Sequence, residues 1–151
     1  MANTQAMCTS FKGELLTGTH NFGTGVTRAS TAADTFKAAL YLASATVNAS
    51  TTAYSSTGEV TGTNYTAGGA TVTNATAPAT SGTTAYWTPS ASISFSNVTL
   101  TTAFDAVLIY NSSQSNKAVS VHTFGSQTVT AETFTLTMPT NDSSTGLIRL
   151  A

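Results

Sequence analysis

The stretch FDAVLIYNSSQSNKAVSVHTF, residues 104–124, reads as two β-strands joined by a polar turn. Residues 104–110 are almost continuously apolar, and Asp105 is the one charge among them. Such a run suits a strand covered on both faces. Residues 111–117 are all polar and rich in Asn and Ser, which bend a chain by bonding their own backbone. The return strand, 118–124, places Val119 and Val121 on one face and Ser120 and His122 on the other. The spacing predicts a central strand and a more exposed neighbour, with His122 facing outward.

Strand patterns continue on both sides of this hairpin. Toward the C-terminus, 127–130 is a short strand, and 133–138 alternates with Phe134, Leu136 and Met138 inward. Residues 139–146 form a loop and 147–150 a last strand. Toward the N-terminus, 91–100 is a strand with a phase change. Ile93 and Phe95 share one parity, Val98 and Leu100 the other, which predicts a β-bulge near Ser96 and Asn97. Residues 83–88 form a strand carrying Tyr86 and Trp87, ended by Pro89. Pro78 and Gly82 bracket a loop. Gly68 and Gly69 mark a turn before a short strand at 70–75. Residues 54–65, broken by Gly58 and Gly62, read as irregular with at most a helical turn at 56–60, and 43–53 as a loop. In 34–42, Phe36, Ala38, Leu40 and Leu42 line one face of a strand, with Lys37, Ala39 and Tyr41 on the other.

The N-terminal region differs. Residues 18–31 form a loop by composition. In 4–16, Met7, Phe11 and Leu15 fall at steps of four and share one helical face. Asn3 or Thr4 suits the cap, while Gly13 weakens the middle. The same stretch fits an extended arm that forms by docking. Short strands separated by turn signals, with one helix at most, predict a mainly β chain. The expected architecture is a single antiparallel β-sandwich, immunoglobulin-like or jelly-roll, with an N-terminal helix or arm. A closed barrel is the alternative. Residues 1–31 are expected to form the helix or arm and its loop, and 32–151 the β-sandwich domain.

Composition narrows the function classes. The 151 residues suit one domain with a real core. Charged residues make up 7% of the chain, against roughly 25% in ordinary soluble domains, and the net charge is −1. Thr and Ser fill the gap, at about a third of the chain. Five basic residues, scattered singly, do not make a phosphate-neutralising patch, so no nucleic acid is expected. A near-neutral surface of hydroxyls and amides keeps a free monomer soluble poorly and suits a protein inside an assembly, with a secreted Thr-rich β protein from a low-charge environment as the alternative. The lone Cys8 allows neither an internal disulfide nor a cysteine zinc cluster, and reads as a small buried residue. Residues 1–9 lack the features of a secretory signal, and no run is long enough for a membrane span. The expected place of synthesis is a cytoplasm, with no membrane partner.

Catalytic patterns are missing. The acids Glu14, Asp34, Glu59, Asp105, Glu132 and Asp142 show no paired spacing, and His20 and His122 lie far apart. There is no G-x-S-x-G elbow, dinucleotide fingerprint or phosphate loop. No catalytic residue, metal or cofactor is expected. Tyr41, Tyr54, Tyr65, Tyr86 and Trp87 fit a carbohydrate-binding face, but fit a core or an oligomer interface better.

Four blocks carry a resemblance: MANTQAMCTSFKGELL, DTFKAALYL, TAYSSTGEVTGTNYTAGGA and VLIYNSSQSNKAVSVHTFG. In this order they resemble a family of small virion structural proteins of tailed bacteriophages. The most distinctive marks are Thr35, Phe36 and Lys37, then Tyr65 with the following Thr66, Ala67, Gly68 and Gly69, and then Ile109, Tyr110 and Asn111. Val107 and Leu108 before the last of these are a conservative departure. The resemblance implies a non-enzymatic capsid decoration or cement protein that bridges capsomers as a homo-oligomer, in the virion assembled in the host cytoplasm. Its partners would be the major capsid protein or other virion proteins. The alternative is a tail- or fibre-associated adhesin binding a host surface glycan. The candidate interaction residues are Met7, Phe11 and Leu15 on the N-terminal segment, and Asn111, Ser112, Gln114, Asn116 and Lys117 at the hairpin tip.

Overall fold

The structure, a computed structural model, describes residues 3–16, 18–23, 33–73 and 77–151. Its elements are β1 (Ala6–Met7), α1 (Thr9–Leu16), β2 (Phe36–Leu42), β3 (Ala70–Thr71), β4 (Ala79–Ser81), β5 (Thr84–Trp87), β6 (Ile93–Asn111), β7 (Lys117–Leu136) and β8 (Ile148–Leu150). The chain is mainly β, with two antiparallel sheets consistent with a β-sandwich. The larger sheet has the order β1-β7-β6-β2-β3 and the smaller β4-β5-β8. The 104–124 hairpin is the centre of the larger sheet. Its turn falls between Asn111 and Lys117, as the polar run predicts.

Irregular chain blunts both edges of this sheet. On the β7 side, Ala6 and Met7 pair with Val121 and Ser120, and Ala53 bridges to Lys117. On the β2 side, Thr71 pairs with Lys37, and Glu59 bridges to Tyr41. An exposed row of backbone donors and acceptors invites foreign strands, and these short pieces occupy it. The pairing of Ala6 and Met7 also corrects the expected 4–16 helix. Those residues are drawn into the β7 ladder, so the helix begins only at Thr9.

β6 and β7 are far longer than the sequence suggests. The expected strands at 91–100 and 104–110 are one element, and those at 118–124, 127–130 and 133–138 merge likewise. Bulges keep the merged hairpin in register. Between the pairs Phe95/Phe134 and Val98/Glu132, β6 holds the extra residue, and Asn97 adopts φ 50°. Between Val98/Glu132 and Leu100/Val129, β7 holds it, and Ala131 adopts φ 51°. Further shifts flank Phe104. Bulges bend and twist a ribbon, and here they fold the hairpin back over itself. A straight strand would put Phe95 and Phe104 about 30 Å apart. Yet Phe134, the ladder partner of Phe95, packs its ring 5.1 Å from that of Phe104. Phe124 completes the trio, 5.5 Å from Phe134 and 5.9 Å from Phe104.

The smaller sheet packs on the larger through Trp87, whose ring meets Phe22 at 4.9 Å and Phe36 at 6.0 Å. Its first strand, Ala79–Ser81, lies where the sequence predicts only a loop between Pro78 and Gly82. Gly82 instead makes the tight turn of a two-strand ribbon, at φ 57°. The expected strand at 70–75 is seen over Ala70–Thr71, and residues 74 and 75 lie outside the described residues. Cys8 and Phe11 belong to the same core cluster as Leu40, Leu108 and Val119. Residues 3–16 therefore share the core of the domain expected to begin at 32.

Candidate functional site

The N-terminal candidates are largely used by the fold. Phe11 is fully buried, edge-on to His20 at 4.9 Å and to Phe22 at 5.7 Å. Met7 and Leu15 are half-buried against the core. The Asn3 side chain donates to Leu42 O at 3.0 Å and to Asp105 Oδ1 at 2.6 Å, and accepts from Val47 N at 3.0 Å. Segment 3–16 is thus stitched to its own sheet, and Phe11 presents nothing to a partner.

The hairpin tip is likewise a clamp more than a contact loop. Asn111 is fully buried, because its amide donates to Asp34 Oδ2 at 2.7 Å and lies 3.1 Å from His20 Nδ1. Gln114 Nε2 donates to Asp34 Oδ1 at 3.3 Å, and Ser112 Oγ donates to Thr35 O at 2.9 Å. Asn21 N adds a bond to Asp34 Oδ2 at 3.0 Å. The buried carboxylate gathers donors from the hairpin tip and from Asn21, which offsets its desolvation. Lys117 is half-buried beside Ala53, and Asn116 is exposed in the left-handed region at φ 57°. Of the tip candidates, Asn116 alone is well exposed.

Glu59 forms a second buried acid cluster that the sequence did not reveal. Its Oε2 accepts from Tyr54 OH at 2.6 Å, and its Oε1 from Tyr65 OH and Gly68 N, both at 2.8 Å. Tyr65 OH in turn accepts from Leu40 N at 3.0 Å, and Tyr110 OH donates to Gly68 O at 2.7 Å. Tyr54 and Tyr110 stack with ring centres 4.7 Å apart. Burial pushes the Tyr41 and Tyr110 hydroxyls up to about 12. Tyr54 and Tyr65 are raised further, by burial first and then by the Glu59 carboxylate. These tyrosines stay protonated donors that hold segment 54–69 on β2 and β6. The signal in the sequence was faint: an acid in a charge-poor block with a tyrosine on either side. Tyr41 and Trp87 are buried and Tyr54, Tyr65 and Tyr86 half-buried, so the five aromatics form no exposed platform.

His122 keeps the expected strand phase, on the face of Ser120 and opposite to that of Val121, but this face is partly covered and the residue is half-buried. It pairs with Val107 in the ladder, on the face that Ile109 and Ser120 share toward Leu147. A shift between Ile109 and Tyr110 leaves Val119 as the extra residue, and the folded-back end of the hairpin, with Phe134 and Leu136, lies over the face of His122. His122 Nε2 lies 2.9 Å from Ser120 Oγ, and burial lowers the imidazole to about 4, so it is neutral at pH 7. It lines a half-open cleft of about 280 Å³ inside the bend of the hairpin. The apolar walls come from Ile93, Val107, Ile109, Phe124, Phe134 and Leu136.

Among the described residues, no group of three or more His, Cys, Asp and Glu side chains could hold a metal ion. No described helix is long and apolar enough to cross a membrane. No family model matches the chain, and neither does a curated protein or a solved structure.

Proposed function

We propose that this chain is a structural protein of a phage virion, without enzymatic activity, which decorates and stabilises the capsid as a homo-oligomer across capsomer seams. One observation carries the reading. Among the residues whose exposure is described, the only well-exposed charged side chains are Glu132 and Arg149. Asp34 and Glu59 are taken inward, and Asp105 is held by Asn3. The remaining surface is Thr, Ser, Ala and amides, which loses little desolvation energy or side-chain freedom when covered. Repeated over many copies, modest contacts of this kind add up to firm attachment. The resemblance to small phage virion proteins points the same way. The adhesin alternative asks for exposed Tyr and Trp, and these are instead packed around Glu59 and Phe22.

Quantitative mass spectrometry and density maps of purified particles test this. The expected outcome is copy numbers comparable to the major capsid protein, density on the head, and lower head stability after stripping. A few copies per particle, or density confined to the tail, would overturn it.

A further inference from the structure

The cleft inside the folded-back hairpin has the makings of a ligand site that the proposed structural role does not use. Its volume is about 280 Å³, and among the described residues no Lys, Arg, Asp or Glu lines it. A dry apolar cavity of about 150 Å³ accepts benzene, so this space suits a body of about ten heavy atoms. Of the polar side chains that line it, Gln127, Thr135 and Thr137 are exposed and Thr123 Oγ1 donates to Gln5 Oε1, which leaves the half-buried His122 as the polar group among the apolar walls. His122 has Ser120 Oγ on Nε2 at 2.9 Å and, among the described residues, no partner on Nδ1. Ser120 is itself buried. A neutral imidazole with one open nitrogen, set in an uncharged wall, discriminates by a single hydrogen bond. An apolar cleft with few polar groups and a histidine of perturbed acidity is the usual composition of a small-molecule site. We infer that the cleft lined by Ile93, Val107, Ile109, Phe134, Leu136 and His122 binds a small uncharged amphiphile, an aromatic or short alkyl body bearing one hydroxyl. A hydroxyl serves whichever tautomer His122 adopts, because it both donates and accepts. The walls exclude ions, since nothing there compensates a buried charge.

The probes are 4-propylphenol and propylbenzene, which share a body and differ by the hydroxyl. The full chain is titrated with each, following the His122 ring proton and the methyl signals of Ile93, Ile109 and Leu136 by NMR. The expected result is saturable binding of both, with the phenol about fivefold tighter, the worth of one net hydrogen bond. His122→Phe should erase that preference while the hydrocarbon still binds. Leu136→Trp, which fills the cleft from a half-buried position, should abolish binding of both. It serves as the decisive variant if His122→Phe does not fold. No saturation up to the solubility limit, equal affinities in the native chain, or binding undiminished in Leu136→Trp would overturn the assignment.

Discussion

The ring of Phe104 meets that of Phe134 edge to face at 5.1 Å, although Phe134 is the ladder partner of Phe95 and not of Phe104. This contact closes the bend of the long hairpin. Phe104 is fully buried, so Phe104→Ala is expected to cost about 3–5 kcal/mol. In a double-mutant cycle with Phe134→Ala, the pair should show a coupling of about 0.5–1.5 kcal/mol. Urea unfolding of the four proteins measures both. Strict additivity would mean that the bend is held elsewhere.

Alkali should unfold the protein through its tyrosines. Unfolded tyrosine ionises near 10, whereas Tyr41 and Tyr110 are held up at about 12, and Tyr54 and Tyr65 are raised further. Above pH 10 the unfolded chain gives up protons that the folded chain retains. The stabilisation is therefore complete below pH 10 and is lost as pH rises toward 12. Tyrosinate absorbance should appear together with loss of tertiary circular dichroism. A smooth titration near pH 10 in the folded protein would contradict the Glu59 cluster.

Acid should act through His122. Its pKa is lowered to about 4 by burial, against about 6.5 in an unfolded chain. Between these values the unfolded chain binds the extra proton, so this contribution is whole above pH 6.5 and fades as pH falls toward 4. The native chain should lose stability over that window more steeply than His122→Leu. Matching slopes would place the imidazole in solvent.

Gly69 should tolerate no side chain. A Cβ there would lie 1.8 Å from Ala38 O, at φ 73°. Gly82 also has a positive φ, 57°, but open space around it. Gly82→Ala is expected to cost about 1–2 kcal/mol for the left-handed backbone alone. Gly69→Ala should cost more than about 3 kcal/mol, because the adjacent β2 backbone has to move. Thermal unfolding of the two variants settles the order.

Deleting residues 1–16 should damage folding, and not merely docking to a partner. It removes Phe11 from the core, the three Asn3 bonds and the β1 pairing. A loss of more than about 3 kcal/mol in urea is expected from the phenylalanine alone. An unchanged midpoint would show the segment to be an appendage.

Local pattern made part of this fold legible. The turn from Asn111 to Lys117 followed from seven polar residues between apolar runs. The bulge at Asn97 followed from the parity slip between Phe95 and Val98, because a sheet with one inward face must absorb it. The misreadings have one origin. The covering of His122 depends on the hairpin folding back over its face, and the length of β6 on bulges that cancel across two strands. Both are decided by pairing, not by the strand's own residues. The cluster around Asp34 stayed hidden because its members are distant in sequence, and that around Glu59 because Tyr54, Tyr65 and Gly68, though near it in the chain, sit in a stretch with no regular periodicity. Asp34 and Gln114 stand 80 residues apart, and Asn111 and His20 91. Low charge density was visible from composition, whereas the withdrawal of the acids needed coordinates.

The central position of the late hairpin also orders the protein's birth. β2 finds its main partner only in β6, more than sixty residues downstream, and α1 packs against β7. β2 has β3 and β4 has β5 as partners earlier in the chain, but the larger sheet lacks its centre until the 111–117 turn has left the ribosome. The first hundred residues therefore wait, Thr-rich and nearly uncharged, and then dock together onto a ribbon that zips from its turn. Helper proteins that shield nascent chains should accordingly be engaged late in synthesis and released in one step.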